Sequence, residues 1–252
     1  MGRARRIHVP DCVVLVTQVC HDRKMLLRDR SDKATYLRQL QERLDRFDYT
    51  LISYCLGDGD VRLLLRTPQT SAGHTLSAFM HSLNTAFGRR YNRRHGRQGT
   101  LWTARYGVRW VPGCSPENLL KLIWQVEGGP ARRGRPSPVE GWAWCSAYWM
   151  LRGEGSPVPT SLRLTMIVLL NLLRPGLDPV AFLQQVLKME GSEFDVESSR
   201  IGQLWLDGGR RRAVIERERA ILPRVPVTPS WPRLVEVYSA LLLPVLPVSP
   251  RW

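Results

Sequence analysis

The apolar positions of this chain follow two periods. Val13–Val19 is a β-branched run and predicts a strand. Tyr36, Leu37, Leu40, Leu44 and Phe47 recur at steps of three and four and predict a helix over about 33–46, with Ser31 as its N-cap. Tyr49–Leu56 and Val61–Arg66 predict two strands, and the Gly57–Gly59 turn between them makes a hairpin. Leu76, Phe79, Met80, Leu83, Phe87 and Tyr91 form the apolar stripe of a second helix, from about Ser71 to Arg94, which Gly96 ends. Tyr106–Val111 predicts a fourth strand, and Ser115 a cap for a helix over roughly 116–126.

The resulting order is strand, helix, strand, strand, helix, strand, helix. That is the split βαβ pattern of an α+β, ferredoxin-like antiparallel sheet with one added helix. Gly128–Pro138 reads as a flexible basic loop, and the aromatic-rich Trp142–Leu151 as a segment that packs back on the domain. The character changes at the Gly/Pro/Ser-rich Gly153–Thr160. Beyond it, Ser161–Leu173 and Pro179–Met189 predict helices, Gly208–Arg212 leads into a charged helix ending near Leu222, and Pro223–Trp252 is a Pro-rich tail with a short helix around Leu234–Leu243. We therefore expect one domain over 1–152 and a mostly helical extension over 161–252.

Charge narrows the function. The chain carries +15 overall, and residues 1–150 hold 24 basic against 12 acidic residues, a net of +12. Such a surplus favours a polyanion, most simply nucleic acid, bound by the first part of the chain. Arg89, Arg90, Arg93, Arg94, Arg97, Arg105 and Arg109 cluster with almost no acidic residue between them, and the first four share one broad helix face. Arg3, Arg5 and Arg6 form a basic N-terminal arm. Trp102, next to the arginines, is the aromatic best placed to stack on a base. The five cysteines are scattered without a CxxC spacing, so they read as reduced, partly buried thiols rather than as a zinc site. No signal-type apolar segment follows the basic start, and Thr165–Leu173 is too short to span a bilayer, so we expect a cytoplasmic protein without a membrane partner.

Several motifs together resemble one family. They are the Tyr54–Leu65 hairpin, Arg89–Gly99, Leu101-Trp102-Thr103-Ala104-Arg105-Tyr106, Glu117–Pro130 and Trp144-Cys145-Ser146-Ala147-Tyr148. In this order they resemble the single-tyrosine HUH transposases, and among these the REP-associated tyrosine transposases of bacteria, over about residues 3–150. The resemblance implies a ferredoxin-like domain that binds single-stranded DNA beside a hairpin. It also implies a histidine pair holding Mg2+ or Mn2+, which polarises the scissile phosphate while a helix tyrosine attacks it. Such a cation offsets the charge that builds on phosphate oxygens, and tyrosine is a nucleophile that can also leave.

Carried over residue by residue, the histidine positions fall on Asp60 and Arg62, the tyrosine on Gln125, and a further ligand position on Gly129. A guanidinium is always charged and has no lone pair for a metal, and an amide is no nucleophile. We therefore expect no catalytic residue, no metal and no cofactor at these positions. Arg62 reads either as a partner of Asp60 across the turn or as a phosphate-binding group. Asp58 and Asp60 read as turn residues, with an acidic metal site as the alternative. The expected function is binding of single-stranded or hairpin DNA without cleavage. The alternatives are an active transposase or nuclease with a non-standard site and an RNA-binding regulator on the same fold. The C-terminal helices are the expected surface for self-association or a protein partner.

Overall fold

A computed structural model describes residues 9–69, 74–111, 114, 116–131, 134–138, 141–173 and 177–188. The elements run β1 (Val13–Val19), α1 (Arg30–Phe47), β2 (Thr50–Leu56), β3 (Asp60–Arg66), α2 (Leu76–Arg94), β4 (Gly107–Val111), α3 (Pro116–Glu127), α4 (Ser146–Arg152), α5 (Leu162–Leu173) and α6 (Pro179–Lys188). The segment expected to hold a charged helix and a Pro-rich tail lies outside the described residues, as do Arg3, Arg5, Arg6 and Ser115.

The strands form one antiparallel sheet in the order β2-β3-β1-β4. That is the ferredoxin-like arrangement the element order predicts. Val13–Val19 pairs with Arg66–Asp60, which sets Thr17 opposite Arg62, and β1 also sets Leu15 opposite Arg109 of β4. At Gly107, opposite Thr17, a Cβ would lie 2.5 Å from the Thr17 hydroxyl oxygen, so a side chain there would force the hydroxyl to move.

Helices cover both faces of the sheet. On one, Val14, Val16, Val61, Leu63 and Leu65 pack against the apolar stripes of α1 and α2. On the other, Leu15, Ile52, Cys55 and Leu64 pack against Leu119, Leu122, Ile123 and Val126 of α3, with Ala147 and Met150 of α4. Helices α5 and α6 add Leu162, Met166, Leu169, Phe182, Leu183 and Val186 to this same second core. Two covered faces explain why Leu63, Leu64 and Leu65 stand in an unbroken apolar run and are all fully buried; a sheet wet on one side would alternate.

The outer edge of β2 is also covered. The Leu56 N–H donates to the Trp144 carbonyl at 2.8 Å, the Tyr54 N–H to the Ser146 hydroxyl at 3.0 Å, and the Ser161 N–H to the Leu51 carbonyl at 2.9 Å. The Trp142 indole donates to the Leu56 carbonyl at 3.1 Å. An edge so occupied offers no template for strand addition.

One cap and one helix start differ from the sequence expectation. Helix α1 begins at Arg30, and Asp29, not Ser31, caps it by accepting from the Ser31 N–H at 2.7 Å. Asp29 stands in extended conformation one residue before the helix, as an N-cap must, whereas Ser31 is already helical. Helix α2 begins at Leu76, with Thr75 accepting from the Ala78 N–H at 3.2 Å.

Candidate nucleic-acid interface

Strand alternation places Asp60 and Arg62 on the α3 side of β3, the side of Leu64, while Val61 and Leu63 point to α1 and α2. The Arg62 guanidinium donates through Nη1 to the Gln125 carbonyl at 2.7 Å, and its Nε lies 3.4 Å from the Asp60 carboxylate. Arg109, on β4, donates to the Gln125 side-chain oxygen at 3.1 Å. Asp60, Arg62, Gln125 and Arg109, from β3, α3 and β4, therefore meet in one place. Arg62 and Asp60 are 26% and 16% exposed, so both remain open to solvent from one side. Gly129 lies just beyond α3, buried, with its N–H on the Val126 carbonyl.

These residues make a poor metal site. Its oxygen donors are the Asp60 carboxylate, already beside a guanidinium, and the Gln125 amide oxygen, already accepting from Arg109, while the guanidiniums have no lone pair. Among the described residues, no group of three or more His, Cys, Asp or Glu side chains is placed to hold a metal ion.

The arginine cluster divides into used and unused charges. Arg89, Arg90, Arg93 and Arg105 are exposed and make no ion pair among the described residues. Arg94 is different: it reaches Asp29 at 2.6 Å and Asp32 at 2.7 Å, and His95 takes the other Asp32 oxygen at 2.8 Å. The expectation that almost no acidic residue offsets the cluster fails at this position, because Asp29 and Asp32 come from α1, distant in sequence. The bond to Asp32 raises the Arg94 pKa. Arg97 lies over the Tyr91 ring, 5.9 Å from its centroid, with one guanidinium nitrogen buried and unpartnered.

Trp102 is not a stacking platform. It is 8% exposed and sits in the core, with ring centroids 6.3 Å from those of both Tyr36 and Phe87. An indole so enclosed presents no face to a base.

The hairpin turn beside the site is held by charges that sequence reasoning missed. Lys33 is 2% exposed, lies 2.7 Å from Asp58, and stands 5.1 Å and 5.7 Å from the ring centroids of Trp142 and Trp144. Arg135 reaches the other Asp58 oxygen at 2.5 Å. Asp58 is thus a turn residue that also anchors a buried cation. Glu127, at the end of α3, is fully buried; it accepts from Ser53 Oγ at 2.5 Å, from Ser146 Oγ, and from the Ala147 N–H at 3.1 Å. Burial pushes its pKa up to about 7 against these three donors. Both positions carried a signal. Lys33 lies three and four residues before Tyr36 and Leu37, and Glu127 four after Ile123, so each puts a charge on an apolar helix stripe.

Residues 8–123 match the family described as transposase IS200 like. That part of the chain belongs to the IS200-like transposase family. Asp60, Arg62 and Arg109 fall within the matched residues of this transposase domain, and Gln125 two residues past their end. None of the curated proteins matches the chain. Among solved structures, a REP-associated tyrosine transposase bound to a REP hairpin aligns with a TM-score of 0.48 at 11% identity, over 64% of this chain and 92% of that one. A transposase-type protein from Deinococcus radiodurans R1 aligns with a TM-score of 0.32 at 19% identity, over 49% of this chain and 94% of its own. No helix among the described residues is long and apolar enough to cross a membrane.

Proposed function

We propose that this transposase-family protein binds single-stranded or hairpin DNA and does not cut it. The observation that carries the reading is the meeting of Arg62, Asp60 and Gln125, the residues at the resemblance's metal and nucleophile positions. A cleaving site there needs lone pairs for a cation and an oxygen nucleophile. This one offers a guanidinium bonded to the backbone of the amide residue that replaces the nucleophile. The arrangement suits holding a phosphate. Arg62 uses Nε and Nη1 in its two contacts, its Nη2 donors take part in neither, and Arg109 adds a second cation at 3.1 Å from the same glutamine. Charge-assisted guanidinium–phosphate bonds are the strong kind, and paired donors fix geometry.

The test is a cleavage and binding assay on a labelled hairpin with a single-stranded flank, with Mg2+ or Mn2+ present. We expect a retarded complex, intact DNA and no covalent adduct. Arg62→Ala should weaken binding of the flank about tenfold, the order of one charge-assisted contact. A strand break or a protein–DNA adduct refutes the loss of cleavage, and unchanged affinity of Arg62→Ala refutes the phosphate role.

A further inference from the structure

The cleft between α1 and α2 lies on the opposite sheet face from Arg62 and Arg109. It encloses about 330 Å3 and is lined by Ser31, Asp32, Thr35 and Arg38 from α1 and by Phe87, Arg90, Tyr91 and Arg94 from α2. Both sets follow helical spacing, so each is one continuous stripe, and the cleft lies between the first turns of α1 and the last turns of α2. The volume lies at the low end for ligand pockets, about 300–1,000 Å3, and exceeds what one ordered water needs.

The lining is chemically one-sided. Arg38 and Arg90 stand on facing helices, are exposed, and make no hydrogen bond or ion pair among the described residues. Ser31 and Thr35, one turn apart on α1, add two hydroxyl donors. The acid in the cleft, Asp32, does not oppose an anion. It is 2% exposed, and its two oxygens are taken by Arg94 at 2.7 Å and His95 at 2.8 Å. Those bonds also fix Arg94 in the wall. Phe87 and Tyr91, 1% and 6% exposed, close the floor. Two guanidiniums without an ion pair among the described residues, lining one cleft with two hydroxyls, suit an anion, and guanidinium geometry favours phosphate oxygens.

We propose that this cleft is a second phosphate-binding site, taking a backbone phosphodiester of the same nucleic acid, with Arg38 and Arg90 as its principal ligands. The inference rests on the nucleic-acid reading above and adds a contact on the other face of the sheet. A strand that engages both must pass around the end of the sheet, so the bound DNA is bent or branched rather than straight.

The experiment uses the full chain and a fluorescent hairpin with a single-stranded flank. Anisotropy is measured across salt for wild type, Arg38→Ala, Arg90→Ala, the double variant and Arg62→Ala, with melting curves as a check on folding. Each lost phosphate contact should lower the slope of log K against log salt by about 0.7–0.9 and weaken binding by about tenfold. The double variant should lose about two contacts while its melting temperature stays unchanged, because neither side chain holds another residue. Arg38→Lys should recover part of the affinity. If Arg62→Ala weakens binding and the double variant does not, the cleft proposal falls and the first reading stands. If the double variant weakens binding and Arg62→Ala does not, the cleft stands and the role of Arg62 falls. A parallel titration with inorganic phosphate covers the remaining case. If wild type binds phosphate through Arg38 and Arg90, but DNA affinity is the same in the double variant, the cleft serves a free anion and the polymer proposal is overturned.

Discussion

Glu127 makes the stability of this protein depend on pH in an unusual direction. Burial raises its pKa from the ordinary 4.5 to about 7, although the Ser53 and Ser146 hydroxyls and the Ala147 N–H all favour the charged form. The folded state therefore holds a proton that the unfolded chain releases. Below about pH 4.5 both states are protonated and this group makes no difference. Between about 4.5 and 7 the unfolded state loses its proton first, and stability falls; above 7 the loss is complete. A difference of about 2.5 pKa units corresponds to roughly 3 kcal/mol at 1.36 kcal/mol per unit. The group is fully buried, so solvent screening does not reduce that figure in the way it does for surface charges. Glu127→Gln keeps the shape and leaves an amide whose oxygen can accept from the backbone N–H while its NH2 donates to the serine hydroxyls. Urea unfolding of wild type and Glu127→Gln at pH 5 and pH 8 is the assay. Other titrating groups affect both proteins alike, so the readout is the difference between them. The variant should gain about 3 kcal/mol relative to wild type on going from pH 5 to pH 8. Parallel pH profiles would refute the assignment of a high-pKa buried carboxyl to this joint.

Two further outcomes follow from buried contacts. Removing one partner of a buried ion pair typically costs about 3–5 kcal/mol, but the two ends of the Lys33–Asp58 pair are not equivalent. Lys33→Met leaves Asp58 with Arg135 and should cost about 3 kcal/mol, whereas Asp58→Asn strands the Lys33 ammonium against two indoles and should cost more; urea midpoints of the two variants give the order. Trp102→Ala should cost about 3–5 kcal/mol as a large-to-small core change, while Trp102→Phe leaves DNA affinity unchanged by anisotropy. A tenfold affinity loss without a stability loss in Trp102→Phe would make Trp102 a base-stacking residue after all.

How much of this was legible in the sequence depends on where each signal lies. The four strands and the first three long helices follow from local period, and the sheet order follows from their succession, because a split βαβ chain has few ways to close. The meeting of Asp60, Arg62 and Gln125 was foreshadowed by the resemblance, which set those three positions together. The partners were not. Arg94 meets Asp29 and Asp32 across more than sixty positions of sequence, and Glu127 meets Ser53 across 74. Nothing in a local window records such pairings. Trp102 shows the converse error: a tryptophan beside arginines reads as a stacking surface, and only packing against Tyr36 and Phe87 shows that it faces inward.

The inventory of used charges also decides where DNA affinity must come from. Composition gives residues 1–150 a net of +12, but carboxylates pair with Lys33, Arg43, Arg66, Arg94 and Arg135 and offset their charge. At the proposed phosphate site, Asp60 offsets Arg62, so with Arg109 the three side chains sum to +1. Two neutral histidines with a divalent cation, as the resemblance implies for cleaving relatives, would sum to +2. Exchanging that set for Asp60 and Arg62 therefore lowers the field on the α3 face even with Arg109 nearby. On the other face, Arg38 and Arg90 have no counter-charge among the described residues, and Arg89 and Arg93 continue the same helix. Attraction for a polyanion scales with uncompensated charge and its clustering. The α2 side should thus supply the larger share of the salt-dependent affinity. The Arg38/Arg90 double variant should accordingly flatten the salt dependence more than Arg62→Ala does; the reverse order would mean that the α3 side carries more uncompensated charge in solution than its ion pair with Asp60 allows.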